Sequence, residues 1–183
     1  MKILIITTLL SLRAFSAMLQ GIMMDPRDGT TYKVIKIGHQ IWMAENLKYE
    51  IGKSWCYDDN PRMCEYYGRL YDWATAKGAC PEKWHLPSDE EWTALSRTTS
   101  SDTLGLLSKK MQGTNSYDFS ILPGGYRFDN GTFQQGGNYA VFWSATPTDF
   151  GVAWARILGR GAGMVRMECS KISGFSVRCV NDY

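Results

Sequence analysis

Five cysteines in 183 residues, set behind an apolar leader, constrain this chain more than any other feature. The opening residues, MKILIITTLLSLRAFSA, carry Lys2 and an apolar run from Ile3 to Leu12 broken only by Thr7, Thr8 and Ser11. Small residues follow at Ala14, Ser16 and Ala17. That is the layout of a secretory signal peptide over residues 1–17, cleaved after Ser16 or Ala17, and the run is too short to span a bilayer. No cysteine follows the run, so a lipid anchor is not expected. An exported chain can form disulfides. Cys56, Cys64, Cys80, Cys169 and Cys179 allow at most two intrachain bridges and leave one thiol over, and spacing does not choose among the pairings.

The whole chain has 20 basic and 18 acidic residues. Residues 1–17 hold Lys2 and Arg13 and no acid, so residues 18–183 balance at 18 of each. A nucleic-acid binder needs a basic excess to neutralise phosphates, and that class is excluded. Residues 18–183 have the length of a single domain with a real core, and 13% aromatic residues argue against disorder.

Within that domain, DGTTYKVIKIGHQIWMAENL sets Tyr32, Val34 and Ile37 against Ile41 and Met43 across a Gly-containing turn, which reads as a β-hairpin. WCYDDNPRMC, residues 55–64, reads as a loop. YGRLYDWATAKGA, residues 67–79, places Leu70, Trp73, Ala74 and Lys77 at helical spacing and predicts a first helix stopped by Gly78 and Pro81. A second helix starts at LPSDEEW. Ser88 and Glu91 form a capping box, Asp89 and Glu90 face the positive end of the helix dipole, and Leu86 with Trp92 matches a hydrophobic staple. Beyond Leu107 come a Pro-Gly-Gly break, an Asn130-Gly131 hairpin turn, and four short strands in AVFWSAT, VAWARIL, GMVRMEC and GFSVRCV. In the last, Phe175, Val177 and Cys179 share one face, and Ser176 and Arg178 take the other. Two helices between an early hairpin and a late antiparallel sheet make an α+β domain.

DGTTYKVIKIGHQIWMAENL, YGRLYDWATAKGACPEKWHLPSDEEW, LPGGYR, FWSAT and GFSVRCV, in this order from about Asp25 to Asp182, resemble the Fibrobacter succinogenes major paralogous domain. That is a family of exported bacterial proteins similar in outline to C-type-lectin-like and formylglycine-generating-enzyme-like folds. The resemblance implies a C-type-lectin-like fold in which a cysteine near the early helices bridges to one on the final strand, pairing Cys80 with Cys179. Cys56 and Cys64 would then staple the acidic loop. Cys169 is left buried and free, or available for an intermolecular bond.

Four chemical readings compete with plain structural roles. Cys80, His85 and Asp89 could start a zinc site, but no C-x-x-C or H-x-x-x-H pair supports it. A Cys–His nucleophile has only His39 and His85 to draw on, with no base beside Cys169. GRGAGMV mimics a phosphate loop but is followed by strand-like residues rather than a helix. Asp58, Asp59 and Asn60 offer clustered oxygens suited to calcium. The sugar-binding motifs of calcium-dependent lectins, Glu-Pro-Asn or Gln-Pro-Asp and Trp-Asn-Asp, are missing from the sequence. Catalysis is therefore not expected, nor a resident cofactor, with calcium at Asp58, Asp59 and Asn60 the one metal left open.

The remaining hint is the aromatic and arginine supply of the C-terminal half. Tyr126, Arg127, Asp149, Phe150, Arg156, Arg160 and Arg166 are the candidate contacts for a polysaccharide or an extracellular or envelope protein. The expected function is a secreted or surface-exposed binding module. Its alternatives are a metal-assisted enzyme of the formylglycine-generating outline and a structural envelope component.

Overall fold

A computed structural model describes residues 20–182; the expected signal peptide lies outside them. The early hairpin forms as expected. β2 (Thr31–Ile37) and β3 (Gln40–Met43) are joined by a two-residue turn with Gly38 at φ +63, a left-handed conformation that glycine adopts without strain. β1 (Gln20–Met24) and β12 (Val180–Asp182) flank it in an antiparallel sheet of order β1-β2-β3-β12. The buried side chains of β2 are Tyr32, Ile35 and Ile37, whereas Val34 is only partly covered.

Asp25 and Arg27 fasten the β1–β2 turn to the body of the domain. Arg27 donates to both carboxylate oxygens of the buried Asp25 (2.8 and 2.6 Å), stacks on Tyr49 and donates to the Ala79 carbonyl at 2.8 Å. Burial works against the Asp25 carboxylate, but the hydrogen bonds and charge of Arg27 hold its pKa below the ordinary carboxylate range.

The second sheet is mixed rather than purely antiparallel. β4 (Ser54–Trp55), β5 (Leu70–Tyr71), β8 (Tyr139–Pro147), β9 (Val152–Gly159), β10 (Val165–Ser170) and β11 (Phe175–Ser176) run in the order β10-β9-β8-β11-β5-β4, with β11 parallel to β8. A separate ribbon, β6 (Tyr126–Arg127) and β7 (Phe133–Gln134), closes through the Asn130-Gly131 turn, where Gly131 has φ +93.

The helices differ from the sequence reading. α1 (Pro61–Tyr67) begins inside the segment expected to be a loop, because the Asn60 side chain accepts the Arg62 N–H and Pro61 presets the first turn. Gly68, at φ +79, ends it. Leu70 and Tyr71 are then a buried strand, and only α2 (Trp73–Ala76), capped by Asp72, remains of the predicted first helix. The helical spacing there was coincidental. Pairing with β4 and β11 buries Leu70 and Tyr71. α3 (Asp89–Thr98) has the predicted capping box, with Ser88 Oγ accepting from Glu91 N and Glu91 Oε2 from Ser88 N. A short α4 (Thr103–Leu106) follows.

The β8–β9 pair has core on both faces. Ala140, Phe142 and Leu158 pack in one cluster with Trp92 and Leu95 of α3 and with Trp42. Val141, Trp143, Ala153 and Ala155 pack in another with Tyr71, Phe175, Val177 and Cys179. Cys80 and Cys179 are bonded, as are Cys56 and Cys64. Arg178, on the face opposite Val177 and Cys179, is fully buried as well. It donates to Asn46 Oδ1 at 2.9 Å, to the Ser120 carbonyl at 3.0 Å and to the Phe119 carbonyl. Burial pushes its pKa down to about 9, with Glu45 opposing, which leaves it charged at neutral pH.

Candidate functional site

The segment from Ala79 to Trp92 holds the fold together. His85 exchanges backbone hydrogen bonds with Val180, and its Nε2 lies 2.8 Å from Glu91 Oε1, the carboxylate already engaged in the helix cap. Gln40 donates to the same oxygen. Cys80 is oxidised to Cys179. Asp89 is drawn into the sheet: Arg156 Nη2 bonds Oδ1 at 2.5 Å and Arg166 Nε bonds Oδ2 at 2.8 Å. Cys80, His85 and Asp89, the residues that could start a zinc site, are each committed to a structural partner.

This clamp engages two of the expected ligand contacts and buries the first of them. Arg156 is 5% exposed and also donates to the Asp89 carbonyl and Thr93 Oγ1. Burial and the charge of Arg166 lower its pKa, with Asp89 opposing. Arg166 lies flat on Trp154, 3.3 Å from the ring centroid. Both arginines clamp α3 onto β9 and β10. Trp143 is core, its indole N–H donating to the Tyr71 carbonyl.

The other candidates are dispersed. Asp149 and Phe150 occupy the β8–β9 turn, whose carbonyls accept from Lys171 Nζ at 2.7 and 3.0 Å, and Phe150 is 98% exposed. Arg160 is exposed in the β9–β10 turn, at the other end of β9. Arg127 stacks on Trp55, and its backbone pairs with Gly174, so it pins the β6–β7 ribbon. In the acidic loop Asp58 and Asp59 are exposed, while Asn60 Oδ1 is occupied by the α1 cap. Among the described residues, no three His, Cys, Asp or Glu side chains converge as metal ligands.

Tyr126 stands at a concave site. A half-enclosed cavity of about 300 Å³ lies between the β6–β7 ribbon and the sheet. Its floor is Val141, Ile157, Met167 and Cys169, from three adjacent strands. Tyr126 and Phe128, stacked edge to face at 5.0 Å, line it from the ribbon, and Phe175 closes one end. Asp129, Glu168, Ser170 and Ser173 supply the polar lining. Phe128, Met167 and Phe175 were missed in the sequence reading. The alternation of Met167 and Cys169 with charged Arg166 and Glu168 was the available signal, since period-two patterning gives a strand one apolar face.

Cys169 is the free thiol and forms part of the cavity wall. It is partly buried there. Burial pushes the thiol up to about 11 from 9.0, which leaves little thiolate at neutral pH. Iodoacetamide should therefore label the native protein about 100-fold more slowly than the denatured protein at the same pH. Comparable rates would show the thiol to be open and ionised.

Fold and site together define a mixed α+β domain tied by two disulfides, consistent with a lectin-like fold and with export, and carrying an aromatic-lined cavity. No helix among the described residues is long and apolar enough to cross a membrane. The Fibrobacter succinogenes major domain matches residues 35–181, and the chain belongs to that family. No curated protein and no solved structure matches it.

Proposed function

We propose that this is a secreted or surface-exposed, non-catalytic recognition module that takes a polysaccharide or a protein partner through its C-terminal half. The observation that carries the reading is the cavity formed by Tyr126, Phe128 and Phe175 over the face of the sheet. Concave, mainly apolar sites with a few fixed polar groups are where ligands are held, and aromatic faces supply most of the contact energy. A non-catalytic role fits the chemistry at hand. Cys169 is protonated by burial, and the carboxylates around His85 are engaged in a cap and a clamp. The exposed Phe150 and Arg160 are the second tier of contacts, on loops at the two ends of β9.

The test is a binding screen of the oxidised chain against plant and bacterial polysaccharides, with calcium and with chelator. Saturable binding to a subset is expected. Binding unchanged by chelator would remove Asp58 and Asp59 from any ligand role. A blank screen would leave only the protein-partner half of the reading.

A further inference from the structure

We infer that the ligand is an extended peptide segment, added as a strand to the free edge of β10 and anchored by an apolar side chain in the Tyr126–Phe128 cavity. The inference rests on the recognition reading above and chooses between its two ligand classes.

β10 is the last strand of the six-stranded sheet. It pairs with β9 from Val165 to Ser170 without a bulge and contains no proline. Alternate residues of an antiparallel edge strand direct their N–H and C=O groups outward. No hydrogen bond from another element reaches the backbone of residues 165–169 on that side among the described residues. Natural edges of this length are usually blunted by proline, a bulge or a covering loop. Here charges lie on one face only: Arg166, held by Asp89 and Trp154, and Glu168.

The other face of the same strand leads into the cavity. Val165 and Met167 are 46% and 42% exposed, and Met167 and Cys169 continue the floor that Ile157 and Val141 begin. A strand laid beside β10 would send every second side chain toward that face. One of them could then reach over Met167 into the space beneath Phe128. This combination of a backbone ladder and a side-chain pocket is the physics of β-strand addition. It suits a peptide better than a sugar ring, because the floor offers aliphatic and sulfur atoms and few hydrogen-bonding groups. Asp129 and Glu168 have no ion-pair partner among the described residues. Asp129, which lines the cavity from the β6–β7 turn, favours a basic residue next to the apolar anchor.

The experiment is selection of a displayed library of random twelve-residue peptides on the oxidised chain, followed by amide hydrogen exchange with the enriched peptides made synthetically. Enriched peptides should alternate apolar and polar residues around a large apolar anchor with Lys or Arg nearby. They should slow exchange of outward amides within residues 165–169. Binding should weaken about tenfold or more in Met167→Lys and in Phe128→Ala, two substitutions at partly exposed positions. No enrichment over an unrelated domain, or enriched peptides that neither protect β10 nor respond to Met167→Lys, would overturn the inference. If polysaccharides bind while peptides fail, only this inference falls. If both fail, the recognition reading falls with it.

Discussion

Replacing Cys80 and Cys179 together by serine should leave a chain with the native fold that melts about 10–15 °C lower. The bridge spans 99 residues, and constraining a loop of that length removes unfolded-state entropy worth about 4–5 kcal/mol in the chain-entropy model. Against a typical domain stability of about 5–15 kcal/mol, that is a large share. The native ends stay together without the bond, because Met43 N donates to the Cys179 carbonyl and His85 pairs with Val180 on the same strand segment. The loss should therefore appear in the melting curve and not in the native spectrum. The Cys56–Cys64 bridge spans only 8 residues, and its removal should cost about half as much by the same model. Thermal unfolding of the two double variants side by side checks the ratio. Equal losses would mean that strain or local packing, not loop closure, sets the contribution.

Arg178→Met is the second large effect. The guanidinium is fully buried and spreads its donors over Asn46 Oδ1, the Phe119 carbonyl and the Ser120 carbonyl, while its plane lies over the Phe119 ring. Methionine fills much of the volume but leaves three acceptors without a donor. Each buried unsatisfied group costs about 1–3 kcal/mol, and breaking a buried charged network typically costs about 3–5 kcal/mol. Denaturant unfolding should show a loss in that range. Arg178→Lys should recover only part of it, because an ammonium cannot span three acceptors held in a planar fork. A Met variant within about 1 kcal/mol of wild type would mean the carbonyls find water or relax, and that Arg178 is not the tie between the final strand and the Phe119 loop.

What could be read in the sequence was local, or had a partner a few residues away. The Ser88–Glu91 box, the Gly38 and Asn130-Gly131 turns and the strands around Phe142 and Trp154 all announce themselves within one turn or one hairpin. The Cys80–Cys179 bridge was legible only through family resemblance, since spacing left the pairings open. What stayed hidden depends on contacts across long separations. Asp89 looked like a helix-start acid, and only the packing of α3 on β9 and β10 brings Arg156 and Arg166 to it, 67 and 77 residues along. Alternation put Arg178 on the face opposite Val177 and Cys179, but does not say that this segment is buried on both faces. Leu70 and Tyr71 carry no strand signal of their own, and pairing with β4 and β11 decides their state. The same holds for the cavity: Tyr126 was visible as an aromatic, but its neighbours Met167 and Phe175 reach it only through sheet order.

The central claim is that the C-terminal half recognises a ligand through the cavity. It is tested most directly by measuring binding of the strongest hit, polysaccharide or peptide, to the wild-type chain and to Phe128→Ala under the same conditions. Phe128 is partly exposed and stacked only on Tyr126 among the aromatic rings, so its removal should spare the fold. The expected result is saturable wild-type binding that weakens about tenfold or more in the variant, with an unchanged melting temperature. Wild-type affinity in a fully folded Phe128→Ala protein would contradict the claim and move recognition away from the cavity, to the exposed turns that carry Phe150 and Arg160.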